Sequence, residues 1–381
     1  MTIGFLRRCR RRRVWPLLGL ACAIVLVAPG RVAASQTLRV CADCQYTTIS
    51  AALAASQDGD RIVIGPGTYD GGFTISTNVT LQGAGVDATT IIAERGQFAN
   101  RAVTVASDST VTVRGVTISG RGGFTIVSGA ITNNGTLRFA NSAVTGNNAF
   151  GIAGIINTGT LTLINSTISR NVCECRAAGI FNTGTLSLIH SEVSENGASP
   201  GSGIYNEGVA TISDSIVSGN FGRYYAGGIS NGGNMRIANS IISGNASTSG
   251  PGGIENSGVL VIVETTVSGN HAGDPTVFRG GGGISNAGSL TIHDSTVSGN
   301  SASQLGGGIL NTATVRITGS ALSGNSARIG GGIWNSASAT LADSTVTANM
   351  ANSGGGIWNS GSVTLNDSTV TDNTPDDCFG C

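Results

Sequence analysis

The chain has few side chains that could act as a general base, and one set of polar residues recurs at a fixed position of a repeated phrase. The sequence contains three histidines and no lysine. Six residues before the asparagine of each phrase like "VSGN" stands a residue that is almost always polar and is followed by serine or threonine. These positions are Asn141, Asn165, His190, Asp214, Asn239, Glu264, Asp294, Gly319, Asp343 and Asp367.

Two functional hypotheses apply to this polar column. His190 and Asp214, one repeat apart, would form a general acid–base pair, and Asp343 with Asp367 would bind calcium. A structural explanation competes with both, because Asp or Asn before Ser satisfies the backbone donors of a tight turn. The column runs through every repeat, whereas an active site occurs once. We therefore favour the turn, and we predict no catalytic residue, no metal ion and no cofactor.

Aromatic side chains form the second set of candidate functional residues. Trp334 and Trp358 occupy the middle of two consecutive "IWN" phrases, and Phe181 and Tyr205 occupy the same position earlier in the chain. Exposed rings bind sugars or the apolar patch of a partner, whereas rings that stack on each other shield the sheet beneath them. Projecting loops add further candidates for contact with a partner: Arg223, Tyr224, Tyr225, Phe278 and Arg279.

The repeat itself indicates which elements position these side chains. The asparagines of the "VSGN"-like phrases are 24 or 25 residues apart, with one gap of 30. Each asparagine of a second series, in "GIxN", precedes the next member of the first series by 14 residues. The remaining arc varies in length and contains an insertion at 271–283. Each repeat therefore has a fixed arc and a variable arc.

Apolar residues in the fixed arc alternate with polar ones, which predicts β-strands. Leu161 and Leu163 show this spacing. A further apolar residue, such as Val217, stands three residues before each first-series asparagine, and an isoleucine begins each "IxN" phrase. A unit of about 24 residues cannot bury its apolar face alone, so we expect coils stacked about 4.8 Å apart. Like residues would then form columns, with asparagine ladders at the corners.

This pattern lacks the spacing of leucine-rich repeats, of calcium-binding nonapeptides and of helical solenoids. Its "GGI" and "xxN" phrases resemble the repeats of polymorphic outer-membrane proteins, and the chain resembles the right-handed parallel β-helix proteins of the pectin-lyase-like superfamily. The resemblance implies an all-β, right-handed parallel β-helix of roughly 12–13 coils, with about 24–25 residues per coil. The segment 46–56, "YTTISAALAAS", predicts a short helix that caps the first coil.

The resemblance also bears on function, because the superfamily includes lyases, hydrolases and esterases of acidic polysaccharides. The sequence has neither the "QDTL" and "GRPW" of pectin methylesterases nor the "GHG" and "RIK" of polygalacturonases. We therefore predict a rigid, non-enzymatic adhesive or structural module that binds a polysaccharide or a surface protein. The alternative is a polysaccharide-active enzyme, a lyase or glycoside hydrolase, with an unrecognised site in a groove beside the loop 271–283.

The first 35 residues have the three parts of a secretory signal peptide: "FLRRCRRRR", an apolar run and "RVAAS". Cleavage would remove seven of the 21 arginines and leave 14 arginines and 21 acidic residues, so the formal charge of the mature chain would be −7. A negative net charge argues against nucleic acid as a partner. We expect a secreted or cell-surface protein with no stable membrane span after cleavage. The predicted organisation is a signal peptide at 1–35, an N-terminal cap at 36–60, a β-helix at 61–373 and a C-terminal cap at 374–381.

Six cysteines follow the predicted signal peptide, in three local pairs. These pairs are Cys41 with Cys44, Cys173 with Cys175, and Cys378 with Cys381. The first and last pairs suggest a four-thiolate zinc site, but the two ends of a solenoid lie too far apart to share a metal. Because export favours disulfides, we expect both pairs to close as disulfides in the caps. The middle pair, two residues apart, stays open between a strained disulfide and free thiols.

Overall fold

The computed structural model describes residues 34–93, 101–120, 129–273 and 280–381. In these residues the backbone forms a parallel β-helix, in which equivalent strands of neighbouring coils pair in parallel. One of its sheets has 13 strands, which confirms the predicted number of coils. The predicted signal peptide, 1–35, falls almost wholly outside the described residues. Within the described ranges, no helix is both long enough and apolar enough to span a membrane.

Sheets A and B form the fixed arc of each repeat. In the regular coils a strand of sheet A has five residues and a strand of sheet B has three, with buried residues alternating. The strands of sheet A are Thr37–Val40, Arg61–Ile64, Thr80–Gln82, Thr110–Arg114, Thr136–Ala140, Thr160–Ile164, Thr185–Ile189, Val209–Ser213, Asn234–Ala238, Val259–Val263, Ser289–His293, Thr314–Thr318, Ser338–Ala342 and Ser362–Asn366. The strands of sheet B are Gly67–Asp70, Thr89–Ile92, Thr117–Ser119, Ala143–Thr145, Thr167–Ser169, Glu192–Ser194, Ile216–Ser218, Ile241–Ser243, Thr266–Ser268, Thr296–Ser298, Ala321–Ser323, Thr345–Thr347 and Thr369–Thr371.

Sheets C and D lie in the rest of each coil. The strands of sheet C are Phe73–Ile75, Val103–Val105, Ile131–Asn133, Ile155–Asn157, Ala177–Asn182, Ser202–Asn206, Ile229–Asn231, Ile254–Asn256, Ile284–Asn286, Ile309–Asn311, Ile333–Asn335, Ile357–Asn359 and Cys378–Phe379. The strands of sheet D are Asn148–Ala149, Val172–Cys173, Gly197–Ala198, Phe221–Gly222, Ala246–Ser247, His271–Ala272 and Ser301–Ala302. Sheet D adds a short fourth strand to seven of the coils, and the apolar pattern of the sequence did not predict it.

Like residues lie above one another inside the coil, as predicted. Val217, Ile242 and Val267 are paired in register across three coils, and all three are fully buried. Leu161 and Leu163, two apart in sheet A, are fully buried as well. Burial of one such side chain contributes about 1.5–3 kcal/mol. Each coil therefore covers the apolar face of its neighbours, which a single repeat could not do for itself.

Two ladders of asparagine side chains run along the corners of the coil. In the first series, Asn245 Nδ2 donates to Asn270 Oδ1 at 3.0 Å and to the carbonyl oxygen of Val217 at 3.0 Å. In the second series, Asn231 Nδ2 donates to Asn256 Oδ1 at 2.8 Å. These buried amides thus satisfy one another and the backbone around them. The ladders explain why asparagine, and not merely a polar residue, recurs at both corners.

A short helix covers the N-terminal end of the β-helix. Helix α1 (Ile49–Ala55) lies within the predicted segment 46–56 and contacts the first strands of sheets A and C. It begins after Thr48, whose hydroxyl accepts a hydrogen bond from the backbone N–H of the third helical residue at 3.2 Å. The strand Thr37–Val40 precedes the helix and pairs with Arg61–Ile64, so strand pairing begins inside the segment that the sequence marked as a cap.

The C-terminal segment ends both asparagine ladders. Asp377 Oδ1 accepts from the backbone N–H and from Nδ2 of Asn373, both at 3.0 Å. The carbonyl oxygen of Gly380 accepts from Asn359 Nδ2 at 2.9 Å. The segment thus takes the place of the next coil for these amides. It pairs with sheet C but not with sheet A, where Leu365 is 41% exposed.

All three cysteine pairs form disulfides in the structure. The bonded pairs are Cys41–Cys44, Cys173–Cys175 and Cys378–Cys381. The first and last lie in the two end segments. The middle pair lies at the start of the variable arc, with Cys173 buried. In this structure the middle pair, like the other two, is bonded.

Candidate functional site

The polar column lies in the turns between sheets A and B. His190 and Asp214 have φ angles of +48° and +51°, in the left-handed region, and Gly319 has +59°. Asn, Asp and Gly adopt this region more readily than other residues. Ser191 completes the turn, because its Oγ donates to the carbonyl oxygen two residues before it at 2.9 Å and accepts from the backbone N–H of Ser166 at 3.2 Å. The column therefore lies in tight turns, as the turn hypothesis predicts, but the hydroxyl of the following serine, and not the column side chain, makes these bonds to the backbone.

The acidic and histidine members of this column stay separate from one another. His190 and Asp214 line a shallow surface depression, and the described part of the chain shows no hydrogen bond or ion pair between them. Asp343 and Asp367 are one coil apart, and no third His, Cys, Asp or Glu side chain among the described residues joins them in a metal-binding group. Among the described residues, the column thus shows neither a hydrogen-bonded His190–Asp214 pair nor a group of three metal-binding side chains.

The two tryptophans form a continuous stack with a third ring. The ring centroids of Trp334 and Trp358 are 5.2 Å apart with planes inclined by 3°, and Trp358 and Phe379 are 6.3 Å apart with planes inclined by 7°. The faces of parallel rings cover one another, so the surface that a sugar ring would contact is largely occupied within the stack. This arrangement favours the shielding interpretation for Trp334 and Trp358.

A second aromatic group lies on sheet C, and we call it the Tyr205 cluster: Arg176, Phe181, Tyr205, Glu207 and Tyr225. The rings of Phe181 and Tyr205 are stacked at 5.6 Å, and the ring of Tyr225 meets that of Tyr205 edge-on at 5.7 Å. The guanidinium carbon of Arg176 lies 5.9 Å from the centre of the Tyr205 ring. Side chains from three successive coils thus converge on one phenol.

Charge and partial burial shape the environment of the Tyr205 hydroxyl. Burial raises the pKa of Tyr205, and the charge and hydrogen bond of Glu207 raise it further. Arg176 lies 3.7 Å from Glu207, and both side chains are about half exposed. An exposed ion pair of this kind adds little stability. Its hydrogen-bonding groups remain accessible to a ligand at the edge of the rings.

The loop after Phe221 continues the cluster toward sheet D. The backbone N–H groups of Tyr224 and Tyr225 both donate to the carbonyl oxygen of Pro200, at 3.0 and 2.9 Å. These bonds hold the loop against the preceding coil. Arg223 lies 5.1 Å above the ring of Tyr224, which is 56% exposed. The surface therefore presents two arginines beside several rings.

The structure brings together three of the residues that the sequence singled out and adds two more. The rings of Phe181, Tyr205 and Tyr225 are in contact, and Arg223 and Tyr224 precede Tyr225 in the same loop. Arg176 and Glu207 were missed, because they stand in different repeats at positions that share no pattern. Only the observed packing of the loops brings them to Tyr205. Phe278 and Arg279 lie outside the described residues, so their assignment as contact residues stays a prediction.

The described residues beside the insertion line a small pocket. They are Thr248, Ser249, Gly250, Ala272, Gly280, Ser303 and Gln304. None of these residues carries a carboxylate or an imidazole. His271, at the start of the insertion, is exposed, and its Nδ1 lies 2.8 Å from Ser301 Oγ. These described residues do not by themselves supply the paired carboxylates of a glycosidase.

Comparison with known proteins reveals similarity in structure only. No protein-family model matches the chain, and no curated protein matches it in sequence. The A-module of the Azotobacter vinelandii mannuronan C-5 epimerase AlgE6 matches with a TM-score of 0.50 and 14% identity, covering 86% of this chain and 94% of that module. The periplasmic alginate epimerase AlgG matches with a TM-score of 0.50 and 11% identity, covering 81% of this chain and 76% of its own. At these identities the matches show a shared fold.

Proposed function

We propose that this chain, which has the parallel β-helix fold of the pectin-lyase-like superfamily, binds a polysaccharide on the face that contains the Tyr205 cluster. The observation that carries the proposal is the convergence of Phe181, Tyr205 and Tyr225 with Arg176 and Glu207. Aromatic rings contact the apolar faces of sugars, and charged side chains hydrogen-bond hydroxyl or carboxylate groups at the ring edges. A repeating polymer would follow the equally spaced coils.

Two further observations support a polysaccharide as the partner. The structures of similar fold are named as epimerases of mannuronan and of alginate, so this fold accommodates a polysaccharide ligand. In addition, the cluster lies on a rigid stack of paired strands, which keeps its side chains in place at a low cost in ordering entropy when a ligand binds. A polysaccharide partner fits secretion or display at the cell surface, where polysaccharides are found.

The proposal has two versions that differ in turnover. Binding without turnover would make the chain an adhesive or structural module. The alternative, a polysaccharide-active enzyme, is favoured by the epimerase activity in the names of the two similar structures. Because this fold hosts different functions, the chemistry of the site must decide between them.

The test is a panel of polysaccharides scored for binding and, separately, for cleavage or epimerisation. We expect at least one polymer to bind, and the double variant Tyr205→Ala, Tyr225→Ala to weaken that binding by about tenfold or more. The matched control is Trp334→Ala, Trp358→Ala, which also removes two aromatic rings in contact and should leave binding unchanged. Arg176→Gln gives a second, milder test if the tyrosine variant fails to fold.

Each outcome of this panel decides one point. Binding that depends on the two tryptophans and not on the two tyrosines would move the site to the other stack and overturn the proposal. Absence of binding to every polymer would do the same. Turnover of a bound polymer would replace the adhesive version with the enzymatic one.

A further inference from the structure

The strands of sheet A contain no carboxylate side chain. No aspartate or glutamate occurs in the 14 described strands of this sheet, although the chain has 21 acidic residues. The basic residues of these strands are all exposed. They are Arg39, Arg61, Arg114, Arg138, Arg236, Arg316 and His293. A chain that is acidic after the predicted cleavage thus has one sheet whose outward face presents only positive fixed charges.

Four of these arginines lie near one another in the N-terminal coils, and we call them the arginine patch: Arg39, Arg61, Arg114 and Arg138. Arg61 and Arg138 belong to one outward column of sheet A and are three coils apart. Arg39 and Arg114 belong to the adjacent column and are also three coils apart. Neighbouring coils are about 4.8 Å apart and adjacent columns about 6.6 Å apart. The four side chains therefore start from a small area of the sheet.

Two members of the patch meet on a neutral side chain. Arg61 and Arg114 both donate through Nη2 to Oε1 of Gln82, and the bond from Arg114 is 2.6 Å long. None of the four arginines forms an ion pair with another described residue. Two like charges are thus held beside one oxygen atom without a counterion. An oxyanion with several acceptor oxygens can accept hydrogen bonds from both guanidinium groups at once.

The rims of sheet A confine the positive charge to the N-terminal coils. The residue that follows each strand carries no carboxylate in the first coils, as at Asn141, and the first carboxylate at this position is Asp214. At the opposite rim, Asp58 and Asp60 accept hydrogen bonds from backbone N–H groups at 2.7–2.8 Å. Asp108, at the same rim, is exposed and forms no ion pair with the patch among the described residues.

We propose that the arginine patch binds the phosphate groups of an anionic lipid surface and turns sheet A toward that surface. Charge complementarity supports this partner, because basic side chains near an anionic membrane are attracted to its phosphates. Lipid headgroups diffuse in the plane of the membrane, so several of them can gather opposite four separate guanidinium groups. A linear polyanion would instead need a continuous basic track, and the patch ends after Arg138.

This inference goes beyond the proposed function and does not depend on it. The Tyr205 cluster belongs to sheet C, whereas the arginine patch belongs to sheet A. A protein that lies with sheet A on a membrane would be attached to it without a membrane-spanning segment. Polysaccharide binding and lipid binding can therefore be tested separately, and either can fail alone.

The experiment measures cosedimentation of the full-length protein with vesicles of phosphatidylcholine, with or without phosphatidylglycerol. We expect binding only when phosphatidylglycerol is present, and weaker binding at high salt because ions screen the charges. The double variant Arg114→Gln, Arg138→Gln should weaken binding by about twentyfold, since each arginine near an anionic surface contributes about fivefold. The matched control Arg170→Gln, Arg328→Gln removes the same charge outside sheet A and should change binding by less than about twofold.

A second measurement locates the contact within sheet A. Both double variants keep the arginines of residues 1–35, so that segment cannot produce a difference between them. A photoreactive side chain at Thr112, in the column between Arg61 and Arg138, should crosslink to lipid. The same group at Thr340, near the C-terminal end of that column, should not.

Several results would overturn the proposal. Equal binding of the two double variants to the anionic vesicles would show that the patch is not the contact. Equal binding of the wild-type protein to both kinds of vesicle would remove the role of the phosphate charge, and crosslinking from Thr340 alone would move the contact away from the patch. If a soluble phosphorylated or sulfated polymer binds through Arg114 and Arg138 and the vesicles do not bind, the lipid assignment is wrong.

Discussion

At the scale of single residues, each ladder position needs a set of hydrogen bonds that asparagine makes and that no other side chain of its shape can make. Each asparagine in the interior of a ladder must donate to the next coil, donate to a backbone carbonyl and accept from the previous coil while buried. Asn245 meets all three, since Asn220 donates to its Oδ1 from both the backbone N–H and Nδ2 at 3.0 Å. Aspartate has the same shape but lacks the donors, and leucine lacks both donors and acceptor.

The substitution Asn245→Asp tests this requirement. We expect it to lower the free energy of unfolding by about 3 kcal/mol or more, because a buried carboxylate would face the carbonyl oxygen of Val217 and Asn270 Oδ1 with no proton to share. Chemical denaturation followed by circular dichroism measures the change. Asn234→Asp, on the exposed face of sheet A, is the control and should change stability by less than about 0.5 kcal/mol. Equal losses in the two variants would contradict the ladder's role.

A second residue-scale prediction concerns the phenol of Tyr205. Burial and Glu207 hold its pKa above 10.0, so the neutral phenol is favoured in the folded protein. The stabilisation from this shift is fully present below pH 10 and is lost as the pH rises through the pKa of the folded state. Glu207→Gln should lower the pKa of Tyr205 but leave it above the ordinary value, because burial remains. Alkaline titration of phenolate absorbance measures this, and the Tyr205→Phe variant identifies the signal among five tyrosines.

At the scale of elements, sequence reasoning succeeded wherever a residue type was repeated in register. Sheets A, B and C were predicted because alternating apolar residues and the two asparagine series mark their strands. Sheet D was missed, because one outward column holds Val172, Gly197 and Phe221 and so shows no periodicity. The Tyr205 cluster was only half predicted. Phe181 and Tyr205 occupy the middle of an "IxN" phrase, whereas Arg176 and Glu207 reach the cluster through loop geometry that no spacing encodes.

The C-terminal segment allows a prediction about how the first asparagine ladder ends. Asp377 supplies the acceptor that the next asparagine would supply. Asp377→Ala should therefore speed hydrogen exchange at the backbone amide of Asn373 by about tenfold, which corresponds to the loss of one hydrogen bond. Asp377→Asn keeps the acceptor oxygen and should exchange at nearly the wild-type rate. Identical exchange in the alanine and wild-type proteins would show that the segment does not terminate the ladder.

At the scale of the whole molecule, the last regular coil is less buried than the coils before it. Leu341 and Leu365 occupy the same column one coil apart, yet Leu341 is fully buried and Leu365 is 41% exposed. In a repeat protein each coil is stabilised mainly by its neighbours. Coils with a neighbour on only one side therefore open first.

This difference can be measured with a matched pair of leucine substitutions. Leu341→Ala should destabilise the protein by about 2–5 kcal/mol, because it leaves a cavity in the core. Leu365→Ala should cost about 1 kcal/mol, because water already reaches that side chain. Thermal unfolding of the two variants under the same conditions gives the comparison. A larger effect at Leu365 would mean that this end of the molecule is covered in solution.

The ladders all point the same way, since every amide donates to the coil that follows it in the chain. Coils that keep both asparagines thus present matching upper and lower surfaces for hydrogen bonding. Loss or duplication of one repeat between the similar segments 329–349 and 353–373 would join such surfaces and change the length of the stack by about 4.8 Å. The length of the stack can therefore change in steps while the fold is kept.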